Sequence, residues 1–290
     1  MSENDSPAPA PRHAHALVPP EHAREEVERF GRSFGPHAAS YDRGRPSYPA
    51  EAAAWLTGTD KIVLELGAGT GKFTRLLADL GHGVYATDVD DDMLAVLREA
   101  LPDVPTACAP AEKVPLPDHC VEAVVSAQAF HWFDFDVALA EISRVLQPGG
   151  VLGLIWNERD ERIPWVRRLG ELIGSNDQLR DPGPLLIESG LFTDLETREF
   201  SHWQQLDRDG LVDLVMSRSN YTSAPESVRA AKLAEVKAFY AEFNRGVDGL
   251  RLPYVARCFR VIARDTSLTA LPDGSGDDGD TGDLKLIDLK

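Results

Sequence analysis

Apolar and polar positions along this chain switch repeatedly between two periods. Ile62-Val-Leu-Glu-Leu66 is a short, partly β-branched apolar run suited to a strand buried on both faces, and Lys72-Phe-Thr-Arg-Leu-Leu-Ala-Asp-Leu80 then carries apolar residues at helical spacing. The rhythm continues with a strand over 83–87, a helix over 91–100, a short strand over 106–109, a strand over 121–126 and a helix over 136–146. Gln147-Pro-Gly-Gly150 has turn chemistry and leads into a strand over 151–156. Strands alternating with helices in this way predict an α/β fold, a doubly wound parallel sheet.

The second half is patterned differently. A helix is expected over 162–174 and a short one over 185–190. Leu195-Glu-Thr-Arg-Glu-Phe-Ser-His-Trp203 alternates as a sixth strand, 209–244 reads as helical, and 254–262 returns as a last strand. Upstream, Pro46 and Pro49 forbid a regular helix just before the helical pattern at 50–56.

Three glycines interrupt the first strand-to-helix junction at Gly67, Gly69 and Gly71. Glycine reaches backbone angles closed to other residues and lets a ligand approach the main chain at a helix N-terminus, so the turn is a candidate nucleoside-cofactor site. A dinucleotide fingerprint reads G-x-G-x-x-G, whereas this turn reads G-x-G-x-G with Glu65 two residues before it. About twenty residues on, Gly83-Val-Tyr-Ala-Thr-Asp88 ends in an acid at the spacing of a ribose-binding carboxylate. The competing role for Asp88 is capping the helix at 91, a task for which Asp90 or Asp91 is better placed.

The glycine turn with Glu65 resembles the first motif of class I S-adenosylmethionine-dependent methyltransferases, and the likeness extends over about residues 30–160. Ala109-Pro-Ala-Glu-Lys-Val-Pro-Leu-Pro-Asp118 resembles the family's adenine-cupping segment, and Leu146-Gln-Pro-Gly-Gly-Val-Leu152 its turn after the helix. Ser40-Tyr-Asp-Arg-Gly-Arg-Pro-Ser-Tyr-Pro49 and Ala129-Phe-His-Trp-Phe-Asp134 are similar to the branch holding trans-aconitate-type carboxyl methyltransferases. The resemblance implies a Rossmann-like sheet of about seven strands, the last antiparallel, with an N-terminal helical lid and a helical insert between strands six and seven. It implies S-adenosylmethionine as cofactor, held by Tyr41, Arg45, Glu65, Gly67, Ala68, Gly69, Thr70, Gly71, Asp88, Val89, Met93, Ala111, Glu112 and Gln128. Pro110 stands where the family commonly has an acid for the adenine amino group, which leaves that contact to the Ala111 backbone and Glu112.

Methyl transfer is an in-line displacement whose rate can come from positioning in a dry pocket, so dedicated acid-base residues are optional. A carboxylate acceptor needs only orienting donors, for which Arg45, His131, Asn157 and Arg218 are candidates; a hydroxyl or amine gains from a base, and His131 titrates in range. His131 and Trp132 are therefore the catalytic candidates, the indole face adding cation–π attraction to a sulfonium. Two other readings remain open at this point: a repurposed member of the fold that binds the cofactor without methylating, and a nicotinamide oxidoreductase.

Composition bounds the rest. At 290 residues and 43% hydrophobic the chain supports one sizeable core, and no window reaches the roughly twenty apolar residues of a membrane span. The net charge of -17 repels polyanions, which excludes nucleic acid and leaves a small molecule as the expected acceptor. Cys108, Cys120 and Cys258 form no CxxC pair, so they are expected as buried small hydrophobes, with no metal site. The expected division is a tail over 1–25 without secretory character, a domain over 26–265 (lid 26–58, insert 205–250) and an acidic tail over 266–290, in a cytoplasmic protein without membrane contact.

Overall fold

The computed structural model describes residues 42–174, 181–222, 224–244, 246 and 248–265, the side chains of 219 and 220 excepted. Both expected tails, the first part of the expected lid and Tyr41 lie outside the described residues. Seven strands form one sheet: β1 (Ile62–Leu66), β2 (Gly83–Asp88), β3 (Thr106–Cys108), β4 (Val121–Ala127), β5 (Leu146–Arg159), β6 (Phe192–Leu206) and β7 (Leu250–Ala263). Their order is β3-β2-β1-β4-β5-β7-β6. β7 runs antiparallel to β5 and to β6, and the other pairings are parallel, as the resemblance implied.

Adjacent residues of β1 face opposite layers, which is why its run is apolar almost throughout. Val63 packs beneath α1 (Ala50–Thr57) and α2 (Lys72–Asp79), with Leu56, Phe73 and Leu77. Leu64 and Leu66 pack on the opposite side against α4 (Phe135–Val145), with Leu139 and Ile142. Each of these leucines is fully buried, which stabilises by roughly 1.5–3 kcal/mol relative to exposure. The helix α3 (Asp91–Ala100) closes over β2 through Leu94 and Leu97. α1 falls within the segment expected as lid, yet its Ala52, Ala53 and Leu56 are core residues. Among the described residues of that span, the segment 42–49 contributes Arg45, Pro46 and Tyr48 to the cleft described below.

Past β5 come α5 (Pro164–Ile173) and α6 (Gly183–Glu188), and between β6 and β7 come α7 (Arg208–Met216), α8 (Ser219–Thr222) and α9 (Glu226–Phe243). A separate apolar cluster joins Val166 and Leu169 of α5, Leu211 and Val215 of α7, and Val236 and Phe239 of α9 to Leu252 and Tyr254 of β7. The insert therefore recruits α5, which precedes β6 in sequence. The helical stretch expected over 209–244 comprises α7, α8 and α9: α7 ends at Met216, where Ser217 turns its hydroxyl onto Leu214 O, and α9 starts after Pro225, which disfavours helical angles at the residue before it.

Two further expectations are corrected. Gln147–Gly150 does not end the strand pairing: β5 begins at Leu146, opposite Val121, and the register shifts before Ala123 pairs with Val151. The glycines absorb the extra residues, Gly149 at φ +78°. Of the cysteines, Cys258 is buried, its thiol pushed up to about 12 by burial, but Cys108 is exposed because it ends the edge strand β3.

Candidate functional site

All three glycines of the first turn hold left-handed backbones, at φ +68° for Gly67, +56° for Gly69 and +85° for Gly71. Their surroundings differ. A Cβ on Gly67 would sit 2.3 Å from Ala129 Cβ, and one on Gly71 would sit 2.8 Å from Leu97 Cγ. These two let the β4 loop and α3 approach the turn. A Cβ on Gly69 would meet only Met93 Cε, at 3.4 Å, so that position is kept open by backbone angle rather than by packing. No side chain caps α2 behind the turn.

The acids beside the turn divide their work. Asp90 caps α3, accepting from the amides of Asp92 and Met93. Asp88 accepts from Gly69 N at 2.8 Å and Asp90 N at 2.9 Å, so the end of β2 latches the glycine turn. Burial raises the Asp88 carboxyl above its usual range against the pull of these amides. Glu65 is 1% exposed and accepts from Thr74 Oγ1 at 2.6 Å; burial pushes it up to about 8.

An open cleft of about 460 Å³, solvent-facing space included, lies at the carboxyl ends of β1 and β4. Of the residues expected at the cofactor, Arg45, Glu65, Gly67, Ala68, Gly69, Thr70 and Gln128 line it. Gln128 holds φ +60° and ties its side chain to Asn157 O. Pro46, Tyr48, Lys72, Phe73 and Ala127 also line the cleft and escaped the sequence reading, although Tyr48 belongs to the quoted lid motif. Gly71, Asp88, Val89, Met93, Ala111 and Glu112 stand around this lining rather than in it. Met93 and Ala111 are buried, Val89 is exposed, and Glu112 accepts from Asp134 N at 2.7 Å, bracing the start of α4.

Residues 42–49 cross from the glycine turn to the insert. Asp42 accepts from Thr70 Oγ1 at 2.8 Å, Arg43 pairs with Asp213 of α7, and Arg45 Nη2 donates to Ser217 O at 3.0 Å. Gly44 packs against the backbone of Asp213, where a Cβ would come within 2.4 Å of its carbonyl. Asn157 is buried and donates from Nδ2 to Ser47 O, while His202 bonds its Oδ1. Asn157 thus braces the lid segment.

Phe130–Trp132 form a 3-10 turn after β4. The buried Trp156 indole N–H donates to His131 Nδ1 at 3.3 Å, and the His131 and Trp132 rings lie 4.8 Å apart. Accepting at Nδ1 puts the imidazole proton on Nε2. Neither residue lines the cleft directly. Among the described residues there is no group of His, Cys, Asp and Glu able to hold a metal, and no helix is long and apolar enough to cross a membrane.

A family model described as a methyltransferase domain matches residues 64–154. An uncharacterized methyltransferase of Mycobacterium tuberculosis (strain ATCC 25618 / H37Rv) is 45% identical over 236 residues, 79% of this chain and 94% of the relative. Over 43% of this chain and 51% of the relative, a Pectobacterium atrosepticum protein named malonyl-[acyl-carrier protein] O-methyltransferase is 34% identical. A solved structure of a candidate type II methyltransferase from Anaeromyxobacter dehalogenans is similar at a TM-score of 0.53 and 28% identity, covering 76% of this chain and 97% of that one.

Proposed function

Since the chain belongs to the class I S-adenosylmethionine-dependent methyltransferases, we propose that it binds this cofactor in the cleft at Gly67–Thr70 and methylates an oxygen of a small acceptor, a carboxylate before a hydroxyl. The observation that carries the reading is the left-handed glycine turn, latched to the Asp88 carboxylate and open at Gly69. The donor set fits the ligand: two acids, Glu65 and Asp88, stand beside a site for a cationic nucleoside, and the turn leaves main chain where bulk would intrude. When bound, the cofactor supplies a methyl group on a sulfonium, displaced in line by the acceptor oxygen.

The residues then take these roles. Asp88 keeps lone pairs for ribose hydroxyls beyond the two amides it already accepts. Met93, Ala111 and Glu112 form the adenine side with Val89, and Arg45, Tyr48 and Gln128 close the methionine side. His131 orients the acceptor by donating from Nε2, since its Nδ1 is engaged by Trp156. A carboxylate needs no base, so a donor histidine suits it better than a hydroxyl. The name of the O-methyltransferase relative, which matches 43% of this chain, supports an oxygen as the atom methylated. Residues 42–49 serve as the lid and the insert as the acceptor wall.

Isothermal titration with S-adenosylmethionine is expected to give one site per chain with Kd below about 1 mM. Absence of heat at millimolar cofactor would end the reading. Screening carboxylic, phenolic and hydroxylated metabolites for a gain of one methyl by mass spectrometry then identifies the acceptor.

A further inference from the structure

The segment that follows β3 carries Ala111 and Glu112, and α4 holds it at two places. Ahead of the helix the Asp134 amide donates to Glu112 at 2.7 Å. Toward the other end Glu141 and Arg144, three residues apart on one face, grip residues 114–118. Between these points Ala111 and Val114, 5% and 4% exposed, pack into the core with Leu139 and Ile142 of α4. Arg144 itself does not line the cleft.

Residues 114–118 cannot form a regular hydrogen-bonded element. Pro115 and Pro117 have no N–H to donate, and they keep Val114 and Leu116 out of helical angles. Tethers from α4 replace the missing ladder. Arg144 Nη2 donates to Val114 O at 3.2 Å and Glu141 Oε1 at 2.8 Å, and Nη1 to Leu116 O at 2.9 Å and Asp118 Oδ1 at 2.6 Å. Its Nε donates to Glu141 Oε2 at 2.8 Å. A guanidinium offers five N–H donors in one plane, and these five bonds match them in number. Glu141 Oε1 also accepts from Val114 N at 2.6 Å, so the pair takes both the amide and the carbonyl of one residue. The neighbouring guanidinium holds the Glu141 carboxyl below its usual range, and the last turn of a helix favours the cation of Arg144.

We propose that Arg144 is a positioning residue for the nucleobase of the cofactor: by fixing the course of residues 114–118 it sets the place of Ala111 and Glu112, and with it the selectivity of the site for adenine, without touching the ligand. This rests on the reading of the cleft as the S-adenosylmethionine site, with those two residues on the adenine side. Glu112 keeps lone pairs beyond the one that the Asp134 amide takes, so it accepts from an exocyclic amino group and repels a carbonyl oxygen in the same place. Such recognition holds only while the loop stays within about 0.5 Å of its place, which is what the tethers secure. Lysine does not replace arginine here, because an ammonium has three donors and no planar fork.

The test is calorimetric titration of the full chain with S-adenosylhomocysteine and, separately, with S-inosylhomocysteine, which carries a carbonyl oxygen in place of the adenine amino group. The parent is expected to bind S-adenosylhomocysteine more tightly by about tenfold or more, the scale of a lost charged hydrogen bond. Arg144→Gln and Arg144→Lys should each weaken S-adenosylhomocysteine by about tenfold and bring the two ligands to within about threefold of each other. The ratio is the informative readout, because partial unfolding lowers both affinities alike. Pro117→Gly, at an exposed position, loosens the same segment with the tether in place, and it should narrow the ratio whether or not the Arg144 variants fold. A parent that binds both ligands alike, or variants that keep its ratio, overturn the proposal. Loss of affinity for both ligands by one factor makes Arg144 a brace of the fold alone and overturns it as well. Binding in the parent with an unchanged ratio in the variants removes the positioning role and leaves the cofactor reading standing; no binding of S-adenosylhomocysteine by the parent removes the cofactor reading, and the positioning role with it.

Discussion

Between the carboxyl ends of β1 and β2 the groups around the cleft are main-chain amides and acids, whereas between β5, β7 and the insert they are guanidinium groups. The acidic wall is made of Glu65, Asp88 and Asp90, within one β-α-β unit, and each carboxylate is held by a near neighbour: Thr74, Gly69, or the first turn of α3. The basic wall draws Arg45 from the lid, Arg159 from the end of β5 and Arg218 from the insert, positions more than a hundred residues apart in part. On the proposed reading a cationic cofactor gains from the Asp88 and Asp90 carboxylates, since Glu65, pushed up to about 8 by burial, holds its proton at neutral pH. Local construction on one side and assembly across the chain on the other also means that the two walls should fail differently when mutated.

The largest effect is expected at Gly67, where Ala must combine a left-handed backbone with a Cβ 2.3 Å from Ala129. Gly67→Ala should cost about 3 kcal/mol or more in urea unfolding, and Gly69→Ala, with only a flexible methionine end nearby, about 1 kcal/mol. Equal losses would erase the distinction between packing glycines and the open one.

Next comes Asp88. Asp88→Ala should weaken S-adenosylmethionine binding by about 1.5–3 kcal/mol, read as a ten- to hundredfold rise in Kd, the scale of a charged hydrogen bond. Asp88→Asn should fall between, because it still accepts from Gly69 N. An unchanged Kd in the alanine variant would leave Asp88 as a latch on the turn.

His131→Ala should lower kcat by about tenfold with little change in cofactor Kd, as expected of a group that orients the acceptor. If His131 donates, the pH profile of kcat should show no acid limb from its protonation; such a limb, absent in His131→Gln, would mark a base instead.

The smallest effect concerns Glu65. Burial pushes its folded pKa up to about 8 from the ordinary glutamate value of 4.5, so between those values the folded protein holds a proton that the unfolded chain has released. Stability from this group is present at low pH and is lost as pH rises through that window. Melting temperatures from pH 5 to pH 8 should thus fall more steeply in the parent than in Glu65→Gln. Parallel profiles would mean that Glu65 is ionised in the empty protein, and the acidic wall more strongly charged than its burial implies.

The strand and helix alternation over residues 62–145 was legible because each element there packs on its neighbours in sequence, so its apolar spacing reports its burial. The glycine turn was legible for the same reason: Gly67, Gly69, Gly71, Asp88 and Asp90 lie on consecutive turns of one β-α-β unit, and their spacing already separates the Asp90 cap from Asp88 at the strand end. Lys72 and Phe73 were missed because their patterns served equally well as helix surface and core, and Gln147–Gly150 because a bulge uses the same glycines as a turn.

The acceptor side shows what spacing leaves open. Asn157, a candidate donor by position, is engaged by Ser47 and His202, and His131 has its Nδ1 occupied by Trp156. Neither contact is written in local sequence. Arg159 carries no signal in the sequence, because a single charged residue at a strand end looks like any solvated position until its burial is known. The sequence by itself determined the order of elements, the glycine turn and the acids beside it, since those depend on contacts among near neighbours. Only the tertiary structure decided that α5 joins the insert and that residues 42–49 bridge the glycine turn to the insert, because long-range packing brings those groups together.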